Sequence, residues 1–323
     1  MTDSVYCPET DTTYASLDAW RAAEAGAAFK TAEVSGSVGA TDFEFRDDEF
    51  LGGGLITSNT GEEFDLSDSL GAHATVSGAI RIVSRTASIM HRISNIEVMS
   101  IDPEFATSTS PSYPWISNCY LNPNDGSGID GVVGISNATS GRMENCVING
   151  EGSGLQFDGI YSSVGSGNQF EVRNCLALDC GRYGVLRSVV INTLSMGSRS
   201  GDYLQTVSMS YSASGDSTAN GVGSVTGATY ADLVDYAGGD WRTASSSSLA
   251  TGGEGGTFIG VALQDDEPAG GELYLKSSVA NNLTSKVTLN KASLLHVSSS
   301  AVENKTNSIA LLSFKKIELS SSL

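Results

Sequence analysis

Apolar residues recur in short alternating runs along most of this chain. Examples are Ala79-Ile80-Arg81-Ile82, Asn95-Ile96-Glu97-Val98, Asn118-Cys119-Tyr120-Leu121, Asn145-Cys146-Val147-Ile148 and Asn174-Cys175-Leu176-Ala177. Alternation of this kind over a short run predicts half-buried strands. One stretch has a different period. Ser16 can cap Leu17-Asp18-Ala19-Trp20-Arg21-Ala22-Ala23-Glu24-Ala25, with Leu17, Trp20 and Ala23 on one face and Gly26 as the stop. It is the one helix the pattern predicts.

The strand segments also align with one another. Ile93-Ser94-Asn95-Ile96 matches Ile116-Ser117-Asn118-Cys119, Met143-Glu144-Asn145-Cys146 and Val172-Arg173-Asn174-Cys175, at successive intervals of 23, 27 and 29. A second column, Asp130-Gly131-Val132-Val133 and Asp158-Gly159-Ile160-Tyr161, repeats at an interval of the same size. Two markers sharing one period predict a solenoid with at least one strand per repeat. The turn column Asn95, Asn118, Asn145 and Asn174 supplies a residue type that tolerates left-handed backbone. The core column Ile96, Cys119, Cys146 and Cys175, joined by Val98, Leu121, Ile148 and Ala177, then points inward from rungs ~4.8 Å apart.

Composition narrows the function. With 40% hydrophobic and 7% aromatic residues, the 323-residue chain can bury a sizeable core, and its 37 Gly suit short strands and tight turns. The net charge of −19 argues against a nucleic-acid partner, which needs clustered Lys and Arg. No apolar run approaches the ~18 residues of a membrane span, and Met1–Asp11 lacks the features of a secretory signal. Five Cys in a chain of this size imply mainly reduced thiols made in a cytosol. The charge is uneven. Lys276, Lys286, Lys291, Lys305, Lys315 and Lys316 face only Glu272, Glu303 and Glu318 beyond residue 271, so that segment is +3 and the rest −22. The segment also contains none of the Gly, which marks it as a separate module.

The Asn-Cys columns, the Asp-Gly column and the Gly/Ser-rich loops resemble right-handed parallel β-helix proteins of the pectate-lyase-like type. More specifically, the ends are similar to β-helix proteins encoded in bacteriophage and prophage genomes. Thr13-Tyr14-Ala15-Ser16-Leu17-Asp18-Ala19-Trp20 looks like their entry helix, and Val234-Asp235-Tyr236-Ala237-Gly238-Gly239-Asp240-Trp241-Arg242-Thr243-Ala244 like their closing segment. The usual continuation contains Pro; here it reads Ser245-Ser246-Ser247-Ser248-Leu249-Ala250. The expected architecture is all-β: a cap over 1–34 with the short helix, a β-helix over 35–245, a Gly/Ser/acidic linker over 246–271, and a Lys-rich, β-rich module over 272–323 for attachment or oligomerisation. The resemblance implies a bacteriophage virion structural protein, a spike, fibre or decoration on head or tail. It would be homotrimeric, contacting other virion proteins and host-surface polysaccharide.

Candidate chemistry is sparse. A thiol ladder at Cys119, Cys146 and Cys175 reads as buried small residues, since His73, His91 and His296 are not at zinc-ligand spacing. Cys7 and Cys180 have no column mates. Asp130 and Asp158, on adjacent rungs, are either turn residues or a pair able to share a proton or bind Ca²⁺. Arg173 beside Asp158 and Asp179 could imitate a lyase, as could Arg182 and Arg187. Glu144 and Arg173 more simply form an exposed cross-strand pair. Asp47, Asp48 and Glu49, with Asp65 and Asp68, are acidic loops able to hold Ca²⁺. Tyr113, Trp115, Tyr120 and Tyr161 could stack on sugars or sit at subunit contacts. A polysaccharide lyase or hydrolase and a passive sugar-binding module are thus the alternatives to a structural role.

Overall fold

The computed structural model describes residues 3–26, 28–39, 43–46, 49–64, 73–84, 91–105, 114–121, 131–135, 140–150, 158–162, 169–262, 272–277, 288–289, 294–299, 310–311 and 317–321. The chain divides into two compact units, Met1–Gln264 and Asp265–Leu323.

The first unit opens with the strands Ser4–Cys7, Thr12–Tyr14 and Lys30–Ser35, joined antiparallel, and the helix Leu17–Glu24. Ser16 Oγ accepts from the Ala19 amide at 3.2 Å, so the helix starts where its cap dictates. Leu17 and Trp20 are buried, but Ala23 is exposed and Glu24 takes the inward place. A carboxylate is tolerated there because Thr10 (2.6 Å), Tyr14 and Lys30 (2.6 Å) all donate to it. Burial opposes its charge, yet these donors hold the Glu24 carboxyl down at about 2. Trp20 stacks on Phe50 at 4.9 Å and lies edge-on to Phe45 at 6.0 Å. The Phe45 ring occupies the place a side chain would need at Gly54, which explains that glycine. Each such ring contributes about 1.5–3 kcal/mol of burial.

Beyond this cap the strands are parallel. A ten-stranded sheet continues from Lys30–Ser35 through Gly54–Ser58, His91–Ser94, Trp115–Ser117, Ser140–Glu144, Gln169–Arg173 and Val189–Ile191 to Ser208–Ser210. A fourteen-stranded sheet has Glu97–Phe105 in its middle. One half of it runs through Tyr120–Leu121, Val147–Asn149, Leu176–Leu178, Leu194–Met196, Ala213–Ser214 and Val225–Thr226. The other runs through Gly131–Ile135, Asp158–Ser162, Tyr183–Leu186 and Gly201–Leu204. From Trp115 to Leu204 each pass of the chain therefore lays one strand on the first sheet and one on each half of the second. Long stacked parallel sheets of this kind are compatible with a β-helix-like fold. Ile56, Ile93, Ile116, Met143, Val172 and Val190 fill the interior from the first sheet, opposite Val98, Leu121, Ile148 and Ala177.

The outward side of the half running from Tyr120–Leu121 to Ala213–Ser214 is not solvent-facing. Tyr120, Val147, Leu176, Leu178 and Leu194 are buried beneath Leu233, Trp241, Leu249, Ile259 and Val261. Two expectations change here. Tyr120, expected as an exposed aromatic, is 4% exposed, stacked on Phe64 at 5.2 Å and edge-on to Trp241 at 5.1 Å. Residues 246–262, expected as linker, belong to a strap that covers the sheet. Both follow from one fact: this strand half carries apolar residues at alternate positions on both sides.

In the second unit, Glu272–Ser277, Leu294–Ser299 and Ile317–Ser321 form a parallel sheet, and Thr288–Leu289 pairs with Ala310–Leu311.

Candidate functional site

The corners between the first sheet and the second carry the repeated residues. Asn95, Asn118, Asn145 and Asn174 all adopt left-handed backbone, with φ of 57°, 52°, 52° and 49°. Such a conformation costs a non-glycine residue about 1–2 kcal/mol, least for Asn. Asn also adds side-chain bonds along the column: Asn118 Nδ2 donates to Asn95 Oδ1 at 3.0 Å, and Asn174 Nδ2 to Asn145 Oδ1 at 3.4 Å.

The following residue closes the corner. The thiols of Cys119, Cys146 and Cys175 donate to the carbonyls of Ser117, Glu144 and Arg173, each at 3.2 Å. The Cys119 amide in turn donates to Cys146 Sγ at 3.4 Å. The core column of Ile96, Cys119, Cys146 and Cys175 is fully buried. Burial first, and the neighbouring Cys119 and Cys175 second, push the Cys146 thiol well above its usual range. At Cys146 this disfavours the thiolate that nucleophilic chemistry would need. Cys7 and Cys180 are likewise free and buried.

Two further corners escaped the sequence reading. Asn192 and Tyr211, at φ 49°, continue the turn column, and Thr193 and Ser212 continue the thiol column. Thr193 Oγ1 donates to Ile191 O at 3.0 Å and accepts from the Cys175 amide at 3.4 Å. Ser212 Oγ donates to Ser210 O at 2.9 Å and accepts from the Thr193 amide at 3.3 Å. The signal was a short donor side chain after Asn or Tyr, not Asn-Cys.

The candidate catalytic set does not converge. The strand register sets Asp158 beside Gly131, one residue off the Asp130–Asp158 match expected from the sequence. Asp130 itself lies outside the described residues. Asp158 is fully buried, with Arg182 Nη2 donating at 2.6 Å and the Tyr183 amide at 3.2 Å. Arg173 pairs with Glu171 (3.1 Å) and Glu254 (2.9 Å), not with Asp158 or Asp179. Asp179, itself at φ 51°, accepts from the Tyr230 hydroxyl and from Tyr236 at 2.6 Å, fastening the strap. Arg187 donates to Gln205 at 3.0 Å. A separate pair, Asp202 and Asp216, is bound up with local backbone amides. Gly215 and Asp216 donate to Asp202 Oδ2 at 2.7 and 3.1 Å. Burial and then Asp216 push the Asp202 carboxyl up.

The outward side of the first sheet is polar and charged. Trp115 lies between Arg92 and Arg142 on the adjoining strands, their guanidinium carbons 4.9 and 5.9 Å from its ring centre. Its indole N–H donates to Glu144 at 2.8 Å. Glu144 stands opposite Arg173 as the sequence match requires, but its ion pair is with Arg142 on its own strand. Trp115 and Tyr161 are half-buried, and Tyr113 lies outside the described residues. A row of sugar-stacking aromatics is not seen among the described residues.

For cations, Glu49 is engaged by Arg21, whereas Asp47, Asp48, Asp65 and Asp68 lie outside the described residues. Among the described residues no three His, Cys, Asp or Glu side chains converge as a metal site. Of the candidate attachment lysines only Lys276 falls on a described strand; Lys286, Lys291, Lys305, Lys315 and Lys316 lie outside. No described helix is long and apolar enough to cross a membrane. No family model, curated protein or solved structure matches the chain.

Proposed function

We propose that this chain is a structural protein of a bacteriophage virion, a spike, fibre or decoration, whose body is a right-handed parallel β-helix of the pectate-lyase-like type. It works as a homotrimer, is held to other virion proteins through residues 272–323, and meets host-surface polysaccharide with its sides. The observation that carries this reading is the unbroken ladder of parallel strands from Lys30–Ser35 to Ser208–Ser210. Stacked ladders are stiff and lengthen by about 4.8 Å per rung, which suits projection from a support. The acidic balance of residues 1–271 keeps such a surface from sticking non-specifically.

The engagement of Asp158, Arg173 and Asp179 in separate contacts with different partners also favours a structural role over a lyase or hydrolase. The reading is tested on purified particles of the phage that encodes the chain. Mass spectrometry and antibody-labelled electron microscopy should find it on the particle, and sedimentation should give a trimer. Its absence from particles, or release of oligosaccharides from capsular polysaccharide by the purified chain, overturns the proposal.

A further inference from the structure

The second unit carries a periodicity of its own. In its parallel sheet Glu272 pairs with Leu294, and Leu295 with Ile317, the same offset in both cases. The smaller ladder repeats that offset, Thr288 with Ala310. One interval thus governs every strand pairing described in this unit.

The amino-acid sequence repeats at that interval. Leu273, Leu295 and Ile317 share a position, as do Leu275, Val297 and Leu319, and Ser277, Ser299 and Ser321. Between the strands, Asn282 matches Asn304, Thr284 matches Thr306, Val287 matches Ile309 and Leu289 matches Leu311. Along each long strand the aliphatic pair takes alternate register positions, and Tyr274, His296 and Glu318 pair in register at the position between them. The lysines behave differently. Counted from Glu272 within the repeat, Lys316, Lys276, Lys305, Lys286, Lys291 and Lys315 occupy positions 1, 5, 12, 15, 20 and 22. No two share a column, so stacking builds no lysine stripe.

From this register we infer that residues 272–323 are a second repeat array, successive passes of the unit first spanned by residues 272–293, with the aliphatic and serine columns as its constant part. The array is an extensible spacer whose length is set by whole repeats. Its charge is incidental to its construction. This inference is independent of the virion reading and stands or falls separately from it.

The test uses the full chain. Inserting a second copy of residues 272–293 after Ser293 adds one pass, so the unit keeps its protease resistance and gains strand content. Inserting only residues 272–282 breaks the register and renders the unit protease-sensitive. Equal behaviour of the two insertions overturns the inference. A second measurement does not depend on inserted chain. Nitroxide labels at Ser277→Cys and Ser299→Cys should sit on backbones about 5 Å apart, and labels at Ser277→Cys and Ser321→Cys about 10 Å apart, one and two strand spacings. The five native thiols are free, and all are buried away from the label. Equal separations for the two pairs, or separations beyond about 20 Å (four strand spacings), overturn the register.

Discussion

The passes that begin at Asn95, Asn118 and Asn145 have lengths of 23, 27 and 29, whereas those at Asn174 and Asn192 have lengths of 18 and 19. The longer passes lead into Asn-Cys corners and the shorter ones into Asn-Thr and Tyr-Ser. Both use a left-handed residue followed by a short side chain that donates two residues back. The difference teaches that the corner selects for a small buried donor, and that sulfur and oxygen both serve. Cys146 is therefore part of the backbone's hydrogen-bond accounting as well as a filler of the interior.

The comparison can be broken most severely where the two regions meet, at Asp158 on a long pass and Arg182 on a short one. Arg182→Ala removes the ion partner of the fully buried Asp158 carboxylate and should cost about 3–5 kcal/mol in urea unfolding. A loss below about 1 kcal/mol, that of a surface pair, would show the pair to be ornamental.

Next come the turns. Asn192→Val places a β-branched residue in left-handed backbone and also frees the Glu254 amide, which Asn192 Oδ1 holds at 2.7 Å. It should cost about 3 kcal/mol, and Asn145→Val about 2 kcal/mol, by the same measurement. If the order reverses, the strap does not depend on the short passes.

The donor itself is tested by Cys146→Ala, expected to cost about 1–2 kcal/mol, against Cys146→Ser, expected to cost less. Should serine prove worse than alanine, the thiol acts by its volume alone. Tyr230→Phe should cost under about 1 kcal/mol, since Tyr236 still donates to Asp179.

A last test lies outside both regions, in the cap, and is read in pH dependence rather than ranked with the mutational costs. The Glu24 carboxyl is lowered to about 2 from an ordinary 4.5. Its stabilisation is present above pH 4.5 and is lost as the pH falls toward 2. Glu24→Gln should flatten the acid limb of a pH–stability curve between those values.

Much of this was legible in the chain. Period-2 alternation announced the strands, and four Asn residues announced the left-handed corners, because few other residues tolerate that backbone. The Thr193 and Ser212 corners were hidden because donor capacity, not residue identity, repeats. The regular period beyond residue 271 was also present but obscured by conservative exchange among Leu, Ile and Val. The Asp130–Asp158 match failed by one residue, since Asp-Gly is as common in turns as on strands and cannot fix register.

By itself, then, the sequence determined the strands, the sharp corners and the change of composition at residue 271, all of which depend on a few neighbouring residues. Only the tertiary structure decided that Tyr120 and Val147 lie beneath Trp241, that Asp158 meets Arg182, and that Asp179 holds Tyr230 and Tyr236. Each of those contacts joins segments well separated along the chain. The local pattern at either end contains no record of the other, because burial and ion pairing are settled by whichever segments the fold brings together.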